Sequence, residues 1–344
     1  MVNMDVGSKY PGFNDPDGVT FPTQVTFAGG SADGLAGNGK QWFVDGDKSA
    51  SGDGKTWGNA FATIQEGVTA ASAGDVVYVV AKTITDATGD PTSYAETIII
   101  PLAKSSIALV GVSRGRTQGG LPQIKKGSGS TALLTVRAAG CLIANLGFNG
   151  SGSTGGGILL DDDNSTKSAF GTSIVNCHFK NCKGHATNGS LGGAITWSAQ
   201  GNAWQVLIKG NRFYKNVADI VLLGTSNSVP QDVVIEDNVF SGPAASVDAN
   251  LLLNGGSGMN GVMIMNNVFP CFPAISSGSN ATAMKLTGCV GILSGNQFGF
   301  PTQGAGTKTF KAAGDCLVPT TVFMSGNYGE TDTEGDTGYV FRSA

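Results

Sequence analysis

From Val206 to Tyr328 apolar and polar positions recur in one order five times: Val206-Leu-Ile-Lys-Gly-Asn-Arg-Phe213, Val233-Val-Ile-Glu-Asp-Asn-Val-Phe240, Val262-Met-Ile-Met-Asn-Asn-Val-Phe269, Gly291-Ile-Leu-Ser-Gly-Asn-Gln-Phe298 and Val322-Phe-Met-Ser-Gly-Asn-Tyr328. Two imperfect copies precede them, Cys141-Leu-Ile-Ala-Asn-Leu-Gly-Phe148 and Thr172-Ser-Ile-Val-Asn-Cys-His-Phe179. Aligned on the third residue, the anchors are Ile143, Ile174, Ile208, Ile235, Ile264, Leu293 and Met324, with steps of 31, 34, 27, 29, 29 and 31 residues. A repeat of that length marks units that stack on one another.

Each unit holds a short apolar strand, an Asn-x-aromatic turn, a Gly/Ser-rich loop and a second apolar triplet: Ile158-Leu-Leu160, Ile195-Thr-Trp197, Ile220-Val-Leu222, Leu251-Leu-Leu253, Met284-Lys-Leu286 and Cys316-Leu-Val318. Nothing between them carries helical spacing, which excludes helix-pair repeats. The units are also too short for a propeller blade, which needs four strands in roughly 40 to 45 residues. The pattern therefore predicts an all-β chain, a parallel β-helix in which each coil lies on the one before.

Stacking at about 4.8 Å lets an inward amide donate to one coil and accept from the next. Asn211, Asn238, Asn267, Asn296 and Asn327 are expected to form such an asparagine ladder, satisfying buried polar groups. Phe148, Phe179, Phe213, Phe240, Phe269 and Phe298 are expected to stack beside it, each contact adding about 0.5 to 1.5 kcal/mol beyond burial. The competing reading, that asparagine only marks surface turns, accounts for one copy and not for five in one register.

Residues 1–40 are a different material, rich in Gly, Asp, Pro, Asn and Thr, with Tyr10, Phe13, Phe21 and Phe27 spaced along them. Such a stretch buries no core of its own. It reads as a disordered tail or as an arm that orders on a partner, and the spaced aromatics favour the arm as anchors. From residue 41 the text changes. Gln41-Trp-Phe-Val-Asp45 reads as a strand, and residues 59–73, apolar at Phe61, Ile64, Val68 and Ala71, as an amphipathic helix with Asn59 as N-cap and Gly74 as stop. Asp75-Val-Val-Tyr-Val-Val80 reads as a buried strand, and the helix as the cover for an open end of the solenoid. The β-helix is expected over 41–330 and a tail over 331–344, its acidic part covering the last coil and its end, Tyr339-Val-Phe341, docking back.

The succession Trp42-Phe-Val-Asp45, Gly52-Asp-Gly54, Trp57, Phe61-Ala-Thr-Ile-Gln65 and Ala73-Gly-Asp-Val-Val-Tyr-Val79 resembles the opening of the pectate-lyase-like superfamily of right-handed parallel β-helix proteins. With the repeats, the resemblance covers roughly residues 42–329. It implies a right-handed coil and a setting among bacteriophage virion proteins and tailspikes or polysaccharide-degrading enzymes. Because the quoted stretch is the capping region, the resemblance speaks to fold rather than to chemistry. No counterpart of the long C-terminal domain of the larger tailspikes is expected.

Composition sharpens this picture. Glycine supplies 53 of 344 residues, about twice the usual ~7% share, and charged residues are 13% against a usual ~25%. A long, nearly uncharged chain of this kind is held by backbone ladders. A net charge of -4 with scattered basic residues argues against nucleic acid. The six cysteines show neither metal-ligand nor disulfide spacing; Cys177 takes the asparagine place in its repeat, Cys316 falls in an apolar triplet, and all read as small core residues. No cofactor, signal peptide or membrane span is expected, so the chain is read as made in the bacterial cytoplasm and carried in a virion.

A β-helix lyase or hydrolase sets outward carboxylates, often with a cation or a basic residue, on neighbouring coils. The candidates are Asp161, Asp162 and Asp163, the basic set Lys180, Lys183, Lys209, Arg212 and Lys215, and the histidines His178 and His185. His178 aligns with Arg212 one coil on, a pair suited to an anionic sugar. The bland readings are a solvated loop for the aspartates and plain surface for the pair.

Strand residues alternate sides, so the position before each anchor should face outward. It reads Leu142, Ser173, Leu207, Val234, Met263, Ile292 and Phe323, and the middle of the second triplet reads Leu159, Thr196, Val221, Leu252, Lys285 and Leu317. Such apolar outer columns are expected either to be covered by loops or, preferentially, to contact other copies about a cyclic axis; the contact set is Leu207, Val234, Met263, Ile292, Phe323, Val221 and Leu252.

The reading these observations favour is a bacteriophage structural protein: a decoration protein, head fibre or short tailspike, forming a homotrimer and held to capsid or tail through residues 1–40. The alternative is a polysaccharide lyase or glycoside hydrolase acting on a surface polysaccharide. An adhesin is a third possibility, disfavoured by the missing secretion signal.

Overall fold

The computed structural model describes residues 39–83, 92–112, 120–125, 129, 131–151, 155–161, 169–183, 193–198, 204–224, 228–241, 249–269, 282–298, 316–330 and 337–339. The arm residues Tyr10, Phe13, Phe21 and Phe27 lie outside them, as do Asp162, Asp163 and His185.

The chain forms an all-β right-handed parallel β-helix with three files of strands. The first file stacks Gln41–Val44, Val76–Val80, Ala108–Val112, Leu142–Ala144, Ser173–Val175, Leu207–Lys209 and Val234–Glu236, and ends on Val322–Ser325. The second runs through Gln123–Ile124, Gly147–Asn149, His178–Lys180, Arg212–Tyr214, Val239–Ser241, Val268–Phe269, Gln297–Phe298 and Tyr328–Glu330. The third holds Ile98–Ile100, Leu134–Val136, Ile158–Leu160, Ile195–Trp197 and Ile220–Leu223. Two long strands, Ala249–Met265 and Thr282–Ser294, run from the third file round into the first file of the next coil and join those files into one sheet.

One left-handed residue turns each coil from the first file into the second: Asn145, Asn176, Gly210, Asp237, Asn266, Gly295 and Gly326, with φ between 54° and 68°. Only residues that tolerate this region occupy the corner. At Gly210 and Gly295 a Cβ would also meet the amide oxygen of Asn176 or Asn266 in the preceding coil at 2.5 Å, so that side chain would have to turn away.

The residue after each corner points inward. Asn211, Asn238, Asn267, Asn296 and Asn327 are buried and in register. Each of the first four donates its backbone N–H to the next Oδ1 at 2.9 to 3.1 Å and its Nδ2 to the same oxygen at 2.9 to 3.0 Å. Nδ2 also donates to the anchor carbonyl of the preceding coil, from Ile174 for Asn211 to Leu293 for Asn327. Beside this file the six phenylalanines stack with centroids 4.6 to 5.0 Å apart and planes within 10°.

The helix is shorter than its apolar spacing predicts, Ile64–Ala70, with Thr63 rather than Asn59 as N-cap. Thr63 and Glu66 form a capping box, whereas Phe61 is held extended, bridged to Val44. Ala71 is already extended, so the helix ends before Gly74. Its buried face, Ile64 and Val68, joins the main core. The Glu96 carboxylate accepts the N–H groups of Ile64 and Gln65 at 2.8 and 2.9 Å, and Lys104 donates to the carbonyls of Thr69 and Ala71, so charges of the right sign sit at both helix ends. Burial pushes the Glu96 carboxyl up, opposed by those N–H groups. The Gln65 amide bonds both backbone groups of Ile99, blunting the edge of the third file. At the other end Thr337–Tyr339 pairs antiparallel with Tyr328–Glu330.

Candidate functional site

Inward residues serve the core, so any chemistry lies on the outward columns, and the three files present three different surfaces.

On the third file Asp161 follows Ile158–Leu160 and accepts from Arg137 Nε at 3.0 Å. The next coil continues the face with Thr196 and Ser198, whose hydroxyls are buried without a hydrogen-bond partner among the described residues. The apolar column here is covered within the chain: Val221 and Leu252 are 0% and 8% exposed and pack with Ala218 and Leu223. These two residues therefore do not belong to an open contact surface, a correction to the expected set. Alternation identifies an outward side chain but not whether a neighbouring segment covers it.

On the first file the column Leu207, Val234, Met263, Ile292 and Phe323 stays open. Leu207 and Val234 are half-buried, while Met263, Ile292 and Phe323 are 39%, 37% and 66% exposed. Toward the other end, Val76 and Ala108 of the same column are buried in a separate small cluster with Val110 and Ala144. On this column the bare apolar surface is thus confined to the last coils.

The second file carries the polar surface. His178 pairs in register with Arg212, and Lys180 with Tyr214, so four functional groups occupy neighbouring outward positions of two adjacent coils. Coils are about 4.8 Å apart, and alternate residues of one strand about 6.6 Å. Lys180 is buried, His178 half-buried, and Lys183, Arg212, Tyr214 and Lys215 are exposed. Lys215 holds its ammonium 5.1 Å from the Tyr214 ring centroid. It does so from a left-handed backbone, φ 52°, which costs a non-glycine residue about 1–2 kcal/mol. Lys209 does not join the patch. It faces outward from the first file and is paired with Glu236 at 2.7 Å and Asp237 at 3.4 Å.

The residues named as candidates for an enzyme are thereby divided: Asp161 belongs to the third file, His178 and Arg212 to the second. Tyr214 was not among the expected residues, yet a readable signal points to it. Between Asp163 and Asp219 the chain has no acidic residue, while it carries Lys167, Lys180, Lys183, Lys209, Arg212, Lys215 and both histidines. A chain of net charge -4 thus holds a long basic block spanning these two coils.

The described cysteines Cys141, Cys177, Cys182 and Cys289 are buried free thiols, each pushed up to about 12 by burial. Among the described residues no group of three or more His, Cys, Asp or Glu is placed to hold a metal ion, and no helix is long and apolar enough to cross a membrane.

No protein-family model and no curated protein matches the chain. Solved structures with a similar fold include a PL6-family alginate lyase, AlyGC, at 14% identity and TM-score 0.41 over 91% of this chain and 42% of that one. A rhamnogalacturonan lyase is similar at 15% identity and TM-score 0.37 over 86% of this chain and 64% of that one. The chain therefore spans less than two thirds of either.

Proposed function

We propose that this protein is directed at an acidic polysaccharide, bound across the second file at His178, Arg212, Tyr214 and Lys215. The observation that carries the reading is the in-register placement of these groups inside a basic block from which acids are missing. Exposed cations attract and orient carboxylates or sulfates along a glycan, and the Tyr214 ring offers an apolar face to a sugar ring. The groups suit β-elimination on a uronate. A base of the kind His178 supplies takes the proton next to the carboxylate, a cation such as Arg212 offsets the charge that develops, and the glycosidic C–O bond breaks to leave a double bond, its electron pair going to the departing oxygen, which takes a proton from solvent.

The test is calorimetric titration with a polyuronate and with a neutral glycan, alongside ultraviolet absorbance for the unsaturated product. Expected are binding of the polyuronate that weakens with salt and a loss of roughly tenfold or more in affinity on Arg212→Ala, as for a charge-assisted hydrogen bond. Equal affinity for both glycans sinks the reading. Binding without product keeps the recognition and removes the lyase chemistry.

A second reading is favoured by the open column Met263, Ile292 and Phe323. In it the rod packs against copies of itself, most simply as a trimer, as a virion component attached to a capsid or tail protein through residues 1–40. Light scattering on wild type and Phe323→Glu tests it: a trimer that the substitution dissociates supports assembly, and a wild-type monomer at high concentration removes it.

A further inference from the structure

Buried in the corner between the second and third files, outside every surface described above, sits a carboxyl group with two amides. Asp219 is 2% exposed. Its Oδ1 accepts Asn216 Nδ2 at 2.8 Å and its Oδ2 accepts Asn250 Nδ2, one coil on, at 2.7 Å. Its backbone ties its coil to both neighbours, donating to the Asn250 carbonyl of the next coil at 3.0 Å and accepting from the Ile195 N–H of the preceding one at 2.8 Å.

The two amides are not equivalent. Asn216 is locked, because its Oδ1 accepts the Cys182 N–H at 2.9 Å and its Nδ2 also donates to the Phe179 carbonyl at 3.1 Å. Turning that amide over would break both bonds. Asn250 has no comparable restraint: its contact with Asp219 is the one hydrogen bond of its side chain among the described residues. An ionised carboxylate accepts from both amides. A protonated one has an O–H to donate and faces two N–H donors, so one amide must present its oxygen.

We propose that Asp219 and Asn250 form a proton latch between consecutive coils, in which the Asn250 amide donates to the ionised carboxylate and turns over to accept from the carboxylic acid. The proton comes from solvent and rests on Oδ2, and no covalent bond changes. Burial supplies the operating range, pushing the carboxyl from its ordinary value up to about 7 against the pull of the two amides. The thiol of Cys182, itself pushed up to about 12, is a described titratable group that feels this charge. Lys180 and Lys183 flank Cys182 along the chain, and Lys215 precedes Asn216.

Nuclear magnetic resonance on the full chain, following the Asp219 carboxyl carbon and the Asn250 side-chain amide from pH 4 to 9, tests the latch. The expected result is a carboxyl midpoint near 7 and an Asn250 amide shift with the same midpoint. In Asn250→Ala the carboxyl midpoint moves higher, because one donor to the ionised form is gone. Asp219→Asn abolishes the Asn250 transition. An Asp219 midpoint in the ordinary range near 4, or an Asn250 amide that stays fixed while the carboxyl titrates, overturns the proposal; both are read on wild type, whatever the variants do to folding.

Discussion

Cys177 stands in the asparagine file one coil before Asn211 and makes half of the ladder's bonds. Its backbone N–H donates to Asn211 Oδ1 at 2.8 Å, and its thiol lies 3.6 Å from the Ile143 carbonyl, the acceptor corresponding to Ile174 for Asn211. The Leu146 N–H points at the sulfur and pulls its pKa down against the stronger effect of burial. An asparagine at this place replaces weak sulfur contacts with amide bonds to Ile143, Leu146 and Asn211. Cys177→Asn is therefore expected to raise stability by about 0.5–1.5 kcal/mol, the net value of one hydrogen bond. A urea midpoint below that of wild type refutes it.

Position along the ladder sets the cost of breaking it. The Asn267 side chain accepts two bonds from Asn238 and gives one each to the Ile235 carbonyl and Asn296 Oδ1, all in the core. Asn267→Ala leaves Asn238 without an acceptor for two N–H groups and takes one donor from the Ile235 carbonyl. The expected loss is about 3–5 kcal/mol, because orphaned buried groups cost about 1–3 kcal/mol each. Asn327→Ala, at the last rung, is expected to cost less, since no further amide among the described residues receives from Asn327. Chemical denaturation of the two variants checks the order, and equal losses contradict a cooperative file.

These rungs were readable because one physical demand recurs with one residue type. Asn at 211, 238, 267, 296 and 327, with Phe two positions after each of the first four, mark register, spacing and inward direction together. The left-handed corner was equally readable at Gly210, Asp237, Asn266, Gly295 and Gly326, residue types united by tolerance of positive φ rather than by polarity or size. Other features depend on distant pairing. The helix start moved to Thr63 because Phe61 bonds the backbone at Phe43, a contact that propensity does not contain. Val221 and Leu252 face outward, as their alternation requires, yet lie covered, and no period reveals a cover. Asp161 stands 17 residues before His178 but on a different file, since closeness in sequence says little about which face of a coil a residue occupies.

Asp219 gives the rod a pH dependence of defined sign. Its folded-state value of about 7 lies above the ordinary 3.8. A group raised on folding contributes stability that is complete below the unfolded value and is lost as pH rises through the folded one. Wild type is therefore expected to lose stability relative to Asp219→Asn between about pH 4 and pH 7, by up to ~1.4 kcal/mol per pH unit and a few kcal/mol in all. Thermal unfolding of both proteins across that window measures it. A difference between them that is constant with pH, or grows in the wild type's favour toward neutral, contradicts the sign.

Lys215 separates a structural role from a binding role. Its left-handed φ of 52° is one that glycine adopts without strain, and its neighbour in the preceding coil, Asn181, has a φ of 56°. A lysine held there at a cost of about 1–2 kcal/mol, with its ammonium over Tyr214, fits a position kept for its charge. Lys215→Gly removes the strain but loosens the unfolded chain, so the expected net change is a gain of up to about 1 kcal/mol. The same substitution is expected to weaken polyuronate binding several-fold and to flatten its salt dependence, because one exposed cation has gone. Lys215→Asn, which tolerates the same backbone and carries no charge, should bind like the glycine variant. If Lys215→Gly is instead less stable by more than about 1 kcal/mol while binding is unchanged, the lysine serves the fold through the tyrosine ring, and the second file loses one of its exposed contacts with an acidic glycan.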